Sequence, residues 1–545
     1  MTEPLAALLS TTDVSATDAP PVALFQGYDT FMSAGRSTAV KGTSESGGAT
    51  AETYYQVCYD YDMLQTTLNV SSSVSASFGF GSVDAKAEFI ESLSITTTSV
   101  TIIVYTNILS SSLTATNVEL ADAAPTDINA FFQVYGDSYL NSVVIGAEYA
   151  AAYVFYSQSI EQQRQITSTL AANGISASGS LNASLQTSLN EVQQQVTTRQ
   201  SLRQFMSGFT NPIFPTSDQI INFALSFGAQ TPNSPAVIDY QVTGYEHVPG
   251  MAPFTSVVTT RTLYNGVGSQ DGLADDYATL SAVKNAVLAL QDIYVTYGYT
   301  GDVTLSTNSA LVQQDIKTLD TLFHEMDLDP TLTYSAPSLP ALALGTPELS
   351  VINHIQGPWG GNGGEPFGQV TEASVSESLV VSKLSLRGDR WVDQLAYTYQ
   401  SDAGTVSYTQ GGNGGDQSAT LQLQSGERLA SISGWYGTYV NQITIETSYG
   451  NSFTWPSSPD QTTGTFSWKA QESTVFLGFA GRSGRYLDAL SLVTATFAAA
   501  RWVAYDGDAK QQLLAASRLE ISATAVERER RQRERRLPAA PVPEG

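Results

Sequence analysis

Residues 68–95, LNVSSSVSASFGFGSVDAKAEFIESLSI, restrict the fold more than any other stretch of the chain. From Leu68 to Phe80 the even positions carry Leu68, Val70, Val74, Ala76, Phe78 and Phe80, interrupted by Ser72. The odd positions carry Asn69, Ser71, Ser73, Ser75, Ser77 and Gly79. This period of two predicts a strand with one apolar and one polar face. After Gly79 and Gly81 the alternation resumes in reversed phase, with Val83, Ala85, Ala87, Phe89, Leu93 and Ile95 apolar and Asp84, Lys86, Glu88, Ser92 and Ser94 polar. Two alternating limbs around a Gly-rich tip predict a hairpin, and each limb exceeds the roughly 9–11 residues that a tilted strand needs to cross a bilayer. An ordinary edge hairpin, or an amphipathic helix after Gly81, fits the same residues.

A second stretch repeats the pattern. Ile166, Leu170 and Ala172 lead into Asn173-Gly174, a tight-turn dipeptide. Beyond it Ile175, Ala177, Gly179, Leu181, Ala183, Leu185 and Leu189 hold odd positions, and Ser, Asn and Gln hold the even ones. Residues 160–192 are therefore read as a second candidate hairpin. Leu181, Leu185, Leu189 and Val192 also fit one face of a helix, so a segment able to take each form in turn remains open. Asn69 and Asn182 head glycosylation sequons inside these stretches; a glycan would block insertion, so both are read as unused.

The rest of the chain sets the context. Its 545 residues predict two or three domains. A net charge of −26 argues against nucleic acid as a partner and against simple adsorption to anionic lipid. Cys58 is the single cysteine, so no intrachain disulfide forms. The N-terminus lacks the basic region of a secretory signal, and no apolar run reaches 18 residues, so the chain reads as made soluble.

Residues 1–23 read as a flexible leader, and 24–335 as an α+β region. Within it SVTIIVYTNIL, NSVVIGAEYAAAYVFYS and AVIDYQVTGYEH are predicted strands. ADAAPTDINAFFQVYG, capped by Thr126 or Asp127, YATLSAVKNAVLALQDIYVTYG and LVQQDIKTLDTLFHEMDL are predicted helices. Residues 336–350 are Pro-rich and read as a linker, 351–498 as an all-β domain, and 499–545 as a charged helical tail. That tail interleaves Arg528, Arg530, Arg531, Arg533, Arg535 and Arg536 with Glu527, Glu529 and Glu534, the pattern of a solvated helix face.

Catalytic motifs are fragments only. His247, His324 and His354 are far apart, HEMDL at 324–328 lacks the second histidine of a zinc helix, and GRSG at 481–484 misses nucleophile-elbow spacing. The chain is expected to be no enzyme, with no cofactor and no metal.

The Gly-rich motifs of the all-β region are more specific. GPWGGNGG at 357–364, SGERLASISGWYG in the middle and GFAGRSGRYLDAL at 478–490 resemble a jacalin-related lectin domain, in the right order and at the right separations. The resemblance implies a three-sided β-prism that binds mannose/glucose-type sugars. It implies amides from Gly364, Arg485 and Tyr486 and a carboxylate from Asp488, in the loop Gly484-Arg485-Tyr486-Leu487-Asp488, with Tyr486 against the ring. A single carboxylate beside backbone N–H groups holds a hydroxyl pair well. RGDRWVDQL departs from the pattern, because Gly388 and Asp393 stand one residue further apart than Gly484 and Asp488.

YGDSYLNSVVIGAE, from Tyr135 to Glu148, resembles the membrane-attack-complex/perforin signature at Tyr135, Gly136, Tyr139 and Gly146, with Ala147 in place of a second Gly. This resemblance implies a bent antiparallel sheet with flanking helical clusters that unfurl into amphipathic hairpins, and subunit rings that close a β-barrel. Val70, Val74, Ala76, Phe78 and Phe80 would then meet lipid, as would Ile175, Ala177, Leu181 and Leu185. Gly146 is expected to ease strand straightening or to permit close packing. The expected function is a sugar-targeted pore former that binds cell-surface glycans and lipid and assembles with copies of itself. The alternative is a non-lytic adhesion or agglutination lectin.

Overall fold

The computed structural model describes residues 13–15 and 23–503, except 33, 48–50, 60, 69, 71–80, 158, 197–199, 252–253, 267–271, 369–374, 376–378, 402–403 and 457–462. Strands β1 (Asp13–Ser15), β2 (Gly27–Asp29), β3 (Ala34–Arg36), β4 (Val40–Ser46) and β5 (Thr53–Cys58) precede helices α1 (Tyr61–Thr67) and α2 (Gly81–Ser92). The long β6 (Val100–Leu120), α3 (Ile128–Tyr135) and the long β7 (Ser138–Phe155) follow. Next come α4 (Ile160–Ala172), β8 (Ser178–Gly179), α5 (Ser184–Gln195) and β9 (Gln200–Ser207). Helix α6 (Ile220–Phe227), β10 (Ala236–Gly244), α7 (Thr255–Asn265), α8 (Leu273–Tyr297) and α9 (Val303–Leu328) complete this region. Asp127 caps α3, its carboxylate accepting from the Ala130 amide at 2.9 Å.

The main path of the sheet runs β1-β9-β7-β6-β5-β8. β6 and β7, 21 and 18 residues long, form its spine and exchange partners along their length. The first part of β7 pairs with β10, and from Glu148 onward it pairs with β9. Likewise the first part of β6 pairs with β5 and its end with β4.

Both faces of the spine are covered. Tyr149, Ala151 and Tyr153 pack under α4, α5 and α6, while Ala150, Ala152 and Val154 pack against α1 and α2. This is why the β7 sequence is a continuous apolar, small-residue run rather than an alternating one. The connections are unusual for adjacent antiparallel strands: β5 reaches β6 through α1 and α2, and β7 reaches β9 through α4 and α5.

Neither alternating stretch forms a hairpin where it is described: residues 81–92, 160–172 and 184–195 are helices, and only the two-residue β8 is extended, which corrects the hairpin expectation for this state. Val70 is buried in the core beside α1 rather than facing outward. Val74, Ala76, Phe78 and Phe80 lie outside the described residues. Residues 81–92 form α2, with Ala85, Phe89, Ile90 and Leu93 buried. Ile90 breaks the strand parity but falls on the helix face, so burial selects the helix. Lys86, placed by alternation on a polar face, is fully buried.

Ile175, Leu181 and Leu185 are buried in the opposite core and Ala177 is half-buried. Asn173-Gly174 ends α4 rather than turning a hairpin. Gly174 takes φ 78°, and the Ile175 amide reaches back to the Leu170 carbonyl at 2.9 Å, a helix C-cap. Val192 is off the strand parity of Leu181, Leu185 and Leu189 but three residues after Leu189, again a helical spacing.

Gly146 sits where the spine changes partners. A register shift between Leu109 and Ser111 lies opposite it, and Ala236 of β10 pairs with it. A Cβ at Gly146 would overlap the Ile108 carbonyl oxygen, so close backbone approach requires glycine here. Gly146→Ala is expected to cost about 1–3 kcal/mol by overpacking, read as a lowered thermal midpoint. An unchanged midpoint would show that the spine relaxes there freely.

Within the leader, Asp13–Ser15 pairs in parallel with Gln204–Met206, so this part belongs to the sheet. The Pro-rich segment is packed as well: Ala341 is buried, and β11 (Thr346–Glu348) is the first strand after α9.

The C-terminal strands form three four-stranded sheets. They are β12 (Val351–Gly360), β13 (Glu365–Phe367), β14 (Val380–Arg387), β15 (Gln394–Ser401), β16 (Gly404–Gly411) and β17 (Ser418–Gln422), then β18 (Leu429–Tyr436), β19 (Val440–Thr447), β20 (Ser452–Trp455), β21 (Gly464–Lys469), β22 (Thr474–Ser483) and β23 (Leu487–Phe497). The sheet orders are β12-β23-β22-β13, β16-β15-β14-β17 and β20-β19-β18-β21. One core, including Leu384, Leu395, Ile432, Ile443, Leu490 and Leu492, draws on all three, so the sheets enclose a three-sided prism. Pairing of the first strand with the last, β12 with β23, closes it.

The prism is docked onto α8. Tyr294, Tyr297 and Tyr299 pack on Phe497. Asp302 caps α9 through the Leu305 amide at 2.8 Å and also accepts the Ala500 amide at 2.6 Å. Arg428 donates to the Val295 and Thr296 carbonyls at the C-terminal end of α8, where a cation is favoured. Strand β24 (Arg501–Val503) pairs with β11, so residues 501–503 of the expected helical tail are extended rather than helical; the rest of that tail lies outside the described residues.

Candidate functional site

The Gly-rich loop after β12 and the turn between β22 and β23 meet at one end of the prism. Arg482 holds the loop, Nε donating to the Gly363 carbonyl at 3.0 Å and Nη2 to the Gly364 carbonyl at 2.7 Å. The Gly361 amide donates to the Asp488 carbonyl at 2.8 Å. Gly364 adopts φ 62°, a conformation that glycine takes at little cost. A Cβ on Gly363 would overlap Asp488 Oδ1, and one on Gly364 would lie 2.6 Å from Oδ2. Gly484 approaches the same carboxylate from the other side, where a Cβ would stand 3.4 Å from Oδ2.

Three glycines thus wrap one carboxylate. Asp488 is 7 % exposed, and no protein side chain donates to it among the described residues. A nearly buried carboxylate needs hydrogen-bond donors.

The turn repeats around the prism. Tyr486-Leu487-Asp488, Trp391-Val392-Asp393 and Tyr439-Val440-Asn441 occupy corresponding places in the three sheets. The Leu487 amide donates to the Val392 carbonyl and the Val392 amide to the Val440 carbonyl, each at 2.9 Å. The three aromatic rings form a triangle with centroids 4.8–5.5 Å apart. Tyr486 was expected against a sugar ring; here its ring faces Trp391 and Tyr439, with the Arg485 guanidinium 5.6 Å from its centroid. Leu487 is buried in the prism core and positions the turn rather than lining it.

Gly364, Gly484, Arg485, Tyr486 and Asp488 are thus brought together. The remaining sequence-predicted residues lie elsewhere. Tyr135, Gly136 and Tyr139 form a packing junction at the start of β7, where Gly136 bridges Tyr28 and Tyr139 stacks near Tyr245. Asp137 beside them accepts from the Thr30 amide at 2.7 Å and from Arg261 at 3.0 Å. Gly146 lies further along β7. The threefold aromatic–aliphatic–Asp/Asn repeat was missed from sequence, although its three copies are visible there as WVD, YVN and YLD.

The three-sided prism thus presents a glycine-wrapped carboxylate at its loop end. The model of the jacalin-like lectin domain matches residues 356–493, and this region is a jacalin-like lectin domain. Two relatives are named as mannose/glucose-specific lectins. That of Parkia pendula is 29% identical over 141 residues, and that of Parkia platycephala is 27% identical over 143. Each match covers 25% of this chain and 30% of the relative's length. Among solved structures, a mannose-binding jacalin-related lectin from Ananas comosus is 27% identical, with 26% of this chain and 96% of that one covered and a TM-score of 0.22.

Proposed function

We propose that the chain is a carbohydrate-targeted pore-forming protein. In this proposal the lectin domain binds mannose/glucose-type glycans on a target membrane through Asp488 and the amides of Gly364, Arg485 and Tyr486. Residues 24–335 act as a perforin-like domain. They assemble into a ring of identical subunits and insert two amphipathic hairpins each, about 68–95 and 160–192. The protein is released and acts at the target surface, by perforation rather than turnover, with no cofactor or nucleic acid.

One observation carries the pore-forming half: two helical excursions each join strands that are already neighbours and antiparallel, β5 to β6 and β7 to β9. Unfolding an excursion into two extended limbs would lengthen an existing strand pair without breaking it. A closed barrel of such pairs satisfies every backbone group in lipid. The names of the Parkia relatives support the sugar class. Glycan capture offsets the weak attraction of an acidic body to lipid and concentrates subunits on a surface.

Dye release from mannan-coated and bare vesicles, with and without free mannose, tests both halves. Release confined to coated vesicles and suppressed by mannose is the expected result. Binding to coated vesicles without release, across pH and after mild proteolysis, supports the second reading, a non-lytic adhesion lectin. That reading is favoured by the burial of Val70, Ile175, Leu181 and Leu185 and by the buried Lys86–Glu148 pair.

A further inference from the structure

The turn that carries α2 into β6, residues 93–99, decides whether the first helical excursion stays folded. Any backward extension of β6 past Val100 requires this turn to open, because it lies between the helix and the strand. Leu93 and Ile95 anchor it in the core beside α2. Ser94 holds φ 48°, a backbone conformation that an extended strand does not share. The Thr96 amide donates to Ser99 Oγ at 2.9 Å, and the Ser99 amide donates to the Thr96 carbonyl at 3.2 Å, so the turn is also closed on itself.

Both elements that mount the prism grip this turn. Asn285 of α8, the helix whose Tyr294 and Tyr297 seat Phe497, donates Nδ2 to the Ile95 carbonyl at 3.2 Å. The buried Thr346 of β11 donates its hydroxyl to Thr97 Oγ1 at 2.8 Å. β11 pairs with β24, the strand that follows the last strand of the prism, and an Arg501–Glu348 ion pair joins the two. Trp502 of β24 packs both on the core around α9 and on the cluster that seats the prism. The end of β7 adds further bonds: Tyr156 donates its hydroxyl to the Leu93 carbonyl at 2.6 Å, and Thr98 and Ser157 each donate a hydroxyl to the other's carbonyl at 2.7 Å.

We propose that α8 and β11 form a latch that couples the seating of the prism to the closure of the turn 93–99, so that a shift of the prism on its mount loosens α2. The consequence for membranes rests on reading residues 68–95 as a segment that extends; the coupling itself does not. A hydrogen bond weakens steeply as its angle opens, so a small tilt of the mount releases the bonds from Asn285 and Thr346. A helix and a paired strand move as rigid units, which lets a displacement at the prism reach the turn. A prism held by a surface bears load, and the latch passes that load to the end of α2.

Hydrogen exchange of the full-length chain, read by mass spectrometry with no membrane present, tests the coupling. Arg428→Ala loosens the seat from the prism side, at carbonyls about 15 Å along α8 from Asn285. Thr346→Val removes the hydroxyl that reaches Thr97, and Thr346→Ser keeps it. The amides of α2 should exchange about fivefold faster in Arg428→Ala and in Thr346→Val, and at the native rate in Thr346→Ser. The amides of β14–β16 should stay as protected as in the native chain, which shows that the prism is still folded. Faster exchange of α2 in Thr346→Val but not in Arg428→Ala overturns the coupling to the prism, and no change in either overturns the latch altogether. Dye release from mannan-coated vesicles separates this from the pore-forming reading. Faster exchange in both variants with no release from any chain supports the latch and overturns the pore.

Discussion

Lys86→Met is expected to destabilise the N-terminal region by about 3–5 kcal/mol, the usual result of removing one partner from a buried ion pair. Lys86 Nζ lies 3.2 Å from Glu148 Oε2, and both side chains are fully buried. The ammonium also donates to the Ile238 carbonyl at 2.7 Å, and Tyr105 donates its hydroxyl to Glu148 at 2.9 Å. The pair fastens α2, in the first helical excursion, to β7 two residues beyond Gly146. Lys86→Met with Glu148→Leu should recover most of the loss, because neither charge is then left in the core. Urea unfolding of the two variants checks this; equal destabilisation of both would mean that packing rather than charge dominates.

The pH dependence of the single variant has a definite sign. Burial pushes the Glu148 carboxyl above its ordinary value, while Lys86 and Tyr105 pull it down. Removing Lys86 removes part of that opposition, so the folded-state value rises further. A carboxyl raised on folding contributes stability below its unfolded value and loses it as pH rises through the folded value. Lys86→Met should therefore be less destabilised at pH 4 than at pH 8. A deficit that does not change with pH would mean that Glu148 keeps its charge state without the lysine.

Asp488→Asn is expected to weaken sugar binding at the Asp488 site by about 100-fold or more, with the unfolding transition little changed. A hydrogen bond to a charged group contributes about 1.5–3 kcal/mol, and a carboxylate that accepts two hydroxyls loses both strong bonds on amidation. The amide keeps the volume against Gly363 and Gly364, so the loop stays in place. Titration with methyl α-mannoside reads the loss directly, and a change under about fivefold would remove Asp488 from the binding role.

The prism was legible because its signals are local. GPWGGNGG and GRYLD are short runs in which the glycines are needed where they stand, by positive φ or by close approach of a carboxylate. The clamp by Arg482 was not legible, since an arginine six residues from an aspartate says nothing about which carbonyls it will reach. Strands β6, β7 and β10 and helices α3, α8 and α9 follow their apolar patterns closely. The long α8 also has a role that no pattern announces: its C-terminal carbonyls and tyrosines seat the prism.

By itself the sequence determined the order of the regions, the prism with its glycine-wrapped carboxylate, and two stretches able to present one apolar face. It left undecided whether those stretches are strands or helices, because residues spaced by four share a face in both: four is even, and it is close to one helical turn. Tertiary structure decided it. With Tyr149, Ala151 and Tyr153 on one face of the spine and Ala150, Ala152 and Val154 on the other, each face needs cover. Ile90 and Val192 reach that cover only on a helix, so burial against the sheet settles in this state what periodicity leaves open.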